Sequence, residues 1–123
     1  MPAYAAGKAR DVIKDHSASI RMAVEAGVKI AFGTDTGVGP HGSNGEEFLL
    51  MQQLGMKPID CIRSATAVAA QTIGMKGVGT LAPGSWGDLI GVPGDPVEDL
   101  TLLSKPDNMR LVMKGGDVVK SRS

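Results

Sequence analysis

Apolar positions recur at helical spacing in the first part of the chain and in short runs in the last. Val12, Ile13, His16, Ile20, Ala23, Val24 and Gly27 follow a 3.6-residue period, with Arg10, Lys14, Asp15, Arg21 and Glu25 mostly on the opposite side. This spacing predicts a helix that ends at Gly27. Residues 28–34 are then apolar or small apart from Lys29. Such a run predicts a short strand buried on both faces of a parallel sheet. Helix, glycine and buried strand make an α/β unit.

The stretch from Thr34 to Gly45 is too rich in glycine to be regular. Ser43 with Glu46 three residues later is a capping-box pattern, predicting a helix that runs to about Leu54 and stops at Gly55. Pro58 suits the first position of a further helix, with Ile59, Ile62, Thr66, Ala69 and Ile73 along one face until Gly74. Its alanines, Ala65, Ala67, Ala69 and Ala70, permit close approach to a neighbour. From Gly77 the texture changes. Short apolar runs at 88–92 and 109–113 lie between Pro- and Gly-rich turns, and Gly115-Gly116 is a two-residue hairpin signal, so a β tail is expected. The chain therefore divides into an α/β part, residues 1–76, and a β part, residues 77–123.

Charge and composition narrow the partners. Thirteen Lys and Arg balance thirteen Asp and Glu, so no basic field draws a phosphate backbone or an anionic membrane surface. Nucleic acid and membrane are not expected partners. The four aromatics, Tyr4, Phe32, Phe48 and Trp86, form no stacking platform for single strands. Cys61 is the only cysteine, which excludes an intrachain disulfide and a Cys-based zinc site and suits a reducing compartment. No signal-peptide core opens the sequence and no run of about 18 apolar residues occurs. A cytoplasmic protein is expected, unless a targeting segment preceded Met1 in a longer gene product.

Three features carry candidate chemistry. Gly37-Val38-Gly39-Pro40-His41-Gly42 matches the G-x-G-x-x-G dinucleotide pattern. Against that reading, Asp35 would put a negative charge near the pyrophosphate, Pro40 removes an N–H from the cradle, and Asp60 falls in a helix with no second strand before it. Asp35 has two readings. It is either a carboxylate at the carboxyl end of a buried strand, where α/β folds place their chemistry, or an Asx-turn residue accepting bonds from the following backbone. His41 is either a ligand or substrate contact, or a loop histidine with a local bond. His16 reads as a partly buried helix histidine, Cys61 as packing, and Glu46 and Glu47 as carboxylates favoured by a helix N-terminus.

Taken in order, several segments resemble the C-terminal part of the metal-dependent amidohydrolase superfamily, in the branch of Xaa-Pro dipeptidase-like and imidazolonepropionase-like enzymes. They are residues 25–37, Pro40-His41-Gly42 with Glu46-Glu47, Gly55-Met56-Lys57-Pro58, residues 65–70, 77–90, 94–100 and 112–116. The resemblance implies a (β/α) TIM-type barrel followed by a short β-sandwich segment, with residues 28–34 as the eighth barrel strand. It implies that Asp35 binds a divalent metal, zinc by family habit, and carries the proton between attacking water and leaving nitrogen. His41 would touch substrate. The substrate class implied is a small-molecule amide: a dipeptide, an N-acyl amino acid or a cyclic amide.

The same resemblance implies ligands that this sequence lacks. The family's His-x-His pair, its bridging Lys or Glu and its two later histidines have no counterparts, and only two histidines are present. A closed barrel takes about 250 residues. The sequence thus reads as a C-terminal fragment, inactive alone and holding no complete metal site, that associates with the missing N-terminal part or with copies of itself. The alternative is a non-catalytic, self-associating structural module.

Overall fold

A computed structural model describes residues 3–37 and 40–123. Helix α1, Ala3–Glu25, is followed by an irregular segment, a 3-10 turn at Asn44–Glu46 and helix α2, Glu47–Gln53. Helices α3, Pro58–Ala65, and α4, Ala67–Thr72, come next. The remainder comprises β1, Leu89–Gly91; α5, Thr101–Ser104; a 3-10 turn at Pro106–Asn108; β2, Leu111–Lys114; and β3, Asp117–Ser121. Among the described residues no helix is long and apolar enough to cross a membrane.

The expected helix stop at Gly27 is present. Gly27 has φ +70°, its N–H bonds the Val24 carbonyl at 3.1 Å, and the Val28 N–H bonds the Ala23 carbonyl at 3.0 Å. That pair of bonds is the Schellman motif, which needs a left-handed residue where glycine sits. Gly55 and Gly74 end α2 and α4 with the same pair.

Three expected elements form differently. No strand forms over 28–34, because no neighbouring strand among the described residues offers it a ladder. The segment keeps a two-residue alternation, with Ile30, Phe32 and Thr34 half-buried and Ala31 and Gly33 exposed, so one side packs instead of two. The capping box does not close. Ser43 Oγ donates to the Pro40 carbonyl at 3.0 Å and makes no cap bond, so the helix enters through a 3-10 turn. The helix after Pro58 is not continuous either. Thr66, at φ −122° and ψ −97°, separates α3 from α4, its hydroxyl bonds back to the Ile62 carbonyl at 2.9 Å, and Gly79 packs its backbone against the break.

The β tail forms as an antiparallel sheet in the order β1-β2-β3. Leu89 pairs with Met113, and Met113 with Val118; a bulge lies between Val112 and Met113. Gly115 and Gly116 both have positive φ, 59° and 90°, as a two-residue hairpin with right-handed strand twist requires. The tail is not purely β, since α5 and a 3-10 turn interrupt it.

The buried core joins both parts of the chain: Met51, Met56 and Cys61 from the helices, Leu100 and Leu103 from around α5. Val24, Ile30, Phe32, Phe48 and Met109 pack onto it. Gly45 lets α5 lie directly on the 3-10 turn, because a Cβ there would run into the Leu103 carbonyl. Helix α1 reaches the core through Val24, and Arg21 Nη2 donates to the Gln53 carbonyl at 2.9 Å.

Candidate active site

Asp35 follows a segment anchored at two points. The Phe32 N–H donates to the Ser64 carbonyl at 3.0 Å, and the Phe32 ring meets Phe48 with centroids 4.6 Å apart and planes tilted 40°. Aromatic pairs in such tilted arrangements add to the stabilisation from burial. Three residues later the chain turns, and Asp35 takes φ +49°, the one positive φ of a non-glycine residue among those described. This left-handed conformation costs an ordinary L-residue about 1–2 kcal/mol, and Asp tolerates it better than most. Such outliers cluster at functional sites because surrounding structure must hold them.

The holding structure is polar. Thr34 Oγ1 and Thr36 Oγ1 lie 2.8 Å apart, and Asn44 Nδ2 donates to them at 2.9 and 3.3 Å. Thr34 and Thr36 are half-buried, whereas Asp35 between them is exposed. Among the described residues its carboxylate makes no hydrogen bond or ion pair. Sequence reading missed this network. Its signal was a Thr-Asp-Thr triplet, in which the outer two side chains share a side, followed by an amide at the start of a helix.

His41 is exposed between Pro40 and Gly42 and is not bonded to Asp35. Val38 and Gly39 lie outside the described residues, so the G-x-G-x-x-G pattern is described only at its ends. His16 is a correction: it is exposed, not partly buried, and lines a cleft of about 190 Å³ with Ile20, Gly33, Glu47 and Leu54. A larger cleft of about 440 Å³ lies at the start of the 28–34 segment, away from Asp35. Within it Arg63 lies 3.4 Å from Asp60 and Lys29 Nζ donates to Gln71 Oε1 at 3.4 Å. Cys61 is fully buried, as expected of packing. Burial, and secondarily the Asp60 carboxylate, push its thiol above the ordinary range, which suppresses the reactive thiolate.

Among the described residues no three His, Cys, Asp or Glu side chains converge to hold a metal ion. Asp35 offers one carboxylate, so the residues present do not make a complete metal site.

Residues 6–119 match the Amidohydrolase family. The chain is 33% identical over 116 residues to ochratoxinase of Aspergillus niger, covering 92% of this chain and 24% of that protein. It is 30% identical over 99 residues to imidazolonepropionase of Streptomyces coelicolor, covering 78% of this chain and 22% of that protein. Among solved structures, a Xaa-Pro dipeptidase with methionine bound in its active site superposes with a TM-score of 0.79 at 40% identity, covering 85% of this chain and 25% of the dipeptidase. The chain thus spans about a quarter of the length of the curated relatives it matches.

Proposed function

The chain belongs to the amidohydrolase family, and from that premise we propose that it supplies the Asp35 carboxylate to a hydrolase of C–N bonds. The substrate class we favour is a dipeptide, N-acyl amino acid or cyclic amide. The observation that carries the reading is Asp35 itself: left-handed, exposed, without a partner among the described residues, and at the end of an anchored segment.

In this proposal residues 1–76 contribute to a (β/α) barrel and residues 77–123 to the adjoining β-sandwich. The 28–34 segment becomes a barrel strand when neighbouring strands pair with it. A divalent metal, zinc in our reading, would take Asp35 as one ligand and others that the described residues do not assemble. When bound, it supplies Lewis-acid chemistry. The chain's own step is proton transfer. A carboxylate oxygen of Asp35 accepts a proton from the attacking water and returns it to the leaving nitrogen. His41, in the loop that follows, is proposed to contact substrate. A cytoplasmic setting is proposed from the single reduced thiol.

The test is Asp35→Asn in the enzyme that this chain completes, assayed on a panel of dipeptides, N-acyl amino acids and cyclic amides. Loss of at least a hundredfold in kcat with retained folding is expected. Unchanged turnover would refute the assignment. We propose further that the 123-residue chain alone is inactive; stoichiometric metal with turnover, lost on Asp35→Asn, would overturn that. A second reading, a non-catalytic self-associating module, is favoured by the exposed Val12 and Ile13 on α1.

A further inference from the structure

We propose that Asn44 is a positioning residue for Asp35, acting through the Thr34 and Thr36 hydroxyls on either side of it. The inference rests on the reading of Asp35 given above and adds to it the residue that sets its conformation.

Side chains two apart on a regular extended chain share a side, but their Cα atoms stand roughly 6.6 Å apart at 3.3 Å per residue. Thr34 Oγ1 and Thr36 Oγ1 are 2.8 Å apart. Bending the backbone between them brings the hydroxyls together, and the residue at the bend is Asp35, with φ +49°. The hydroxyl contact and the left-handed aspartate are therefore two views of one local geometry. Asn44 closes it. A side-chain amide carries two N–H donors on one nitrogen, and Asn44 Nδ2 reaches both hydroxyls, at 2.9 and 3.3 Å. The remaining hydroxyl hydrogens leave one to bridge the pair.

The clamp has a firm mount. Asn44 opens the 3-10 turn, the neighbouring Gly45 lies directly on the Leu103 carbonyl, and α2 follows with Met51 in the core. Asn44 itself is exposed and fills no cavity. Its bonds to the two threonines are its visible contribution. The Asp35 carboxylate between the two threonines takes no part in this network and is free of hydrogen bonds and ion pairs among the described residues. A proton carrier needs that freedom, because a carboxylate engaged by a turn cannot face substrate.

The experiment compares Asn44→Ala, Thr36→Val and Thr36→Ser with Asp35→Asn as the control, all in the enzyme that this chain completes. Crystal structures report the Asp35 backbone, steady-state kinetics report kcat and KM, and urea midpoints report folding. In Asn44→Ala and Thr36→Val, Asp35 is expected to leave the left-handed region. Their kcat should fall about tenfold to a hundredfold with KM within about twofold, the size of loss that a misplaced group produces. Thr36→Ser, which keeps the hydroxyl, should restore both readouts. A purely structural role would shift the urea midpoint without this pattern. If Asp35 keeps its positive φ in Asn44→Ala, or kcat stays within about twofold of the parent while Asp35→Asn is inactive, the positioning role is wrong and the assignment of Asp35 survives. If Asp35→Asn keeps full activity, that assignment fails, and the Asp35 φ in Asn44→Ala decides the clamp on its own.

Discussion

The backbone N–H of Phe32 donates to the carbonyl oxygen of Ser64 at 3.0 Å, and the bond depends on a break in the neighbouring helix. In a continuous helix that carbonyl would accept the N–H of Val68, four residues on. Thr66 departs from helical geometry and separates α3 from α4, which leaves the Ser64 carbonyl for Phe32. Irregularity in one element thus supplies the anchor for another. Ser64 is almost fully buried, and its own hydroxyl donates to the Cys61 carbonyl at 2.6 Å, so the acceptor sits on a fixed platform.

The anchor should be measurable through the Phe32 side chain. Full burial makes Phe→Ala cost about 3–5 kcal/mol. Phe32 is half-buried, so about 2 kcal/mol is expected for Phe32→Ala, including the lost contact with Phe48. Urea unfolding reads the loss. Amide exchange should accelerate across 28–36 more than in β2 and β3; uniform acceleration would show that Phe32 anchors no local segment.

Local signals were legible and long-range ones were not. The helix stops at Gly27, Gly55 and Gly74 and the hairpin at Gly115-Gly116 could be read because each rests on one residue's backbone freedom. The division of labour around 28–34 could not. A buried apolar run describes a strand only if neighbours pair with it, and pairing is not encoded in the run itself. The break at Thr66 was hidden in a regular apolar period, because the close contact of Gly79 with Thr66 is a tertiary fact. At the candidate site, Asp35 was singled out from its place after an apolar run. Asn44 was invisible, since its role appears only once Thr34 and Thr36 turn towards it.

Gly45→Ala should destabilise the chain through sterics alone. Gly45 does not have a positive φ, so alanine meets no backbone penalty there. Its methyl group would collide with the Leu103 carbonyl and come within 3.0 Å of the Ser104 Cα. Overpacking against backbone costs about 1–3 kcal/mol. A lower urea midpoint of that size is expected, with the loss largest in probes of α5. A midpoint equal to the parent's would mean that α5 does not rest on the 3-10 turn.

Cys61 gives a pH dependence with a defined sign. Its folded pKa is raised, chiefly by burial and then by Asp60. The unfolded chain therefore loses the thiol proton first, and stability from this group is full below the ordinary thiol range, about 8.5. It declines as pH rises through that range towards the folded value. Chemical denaturation between pH 7 and 10 should show this fall, and Cys61→Ala should flatten it. Thiol-specific reagents at pH 8 should react only at the rate of chain opening; fast labelling of the folded chain would contradict the burial.

The exposed apolar side chains set the last expectation. Ile13 and Ile20 lie two turns apart on α1 and so share a face, and Val12 is beside them; Val12 and Ile13 are 62% and 63% exposed. The sheet adds to this, because the register places Ile90 and Val118 on opposite faces, and each is more than half exposed. Apolar surface of this kind is stabilised by being covered. The chain spans about a quarter of the relatives it matches, in which most of the polypeptide lies outside the matched region. Without such cover, the chain should associate with itself. Sedimentation over a hundredfold concentration range is expected to show mass rising with concentration, and Val12→Lys with Ile13→Lys should move the transition to higher concentration. A second measurement separates the two kinds of cover. Adding a polypeptide that supplies the remaining barrel should abolish self-association if the α1 face belongs to that interface. A monomer throughout the range, with or without the lysines, would show that these faces drive no association.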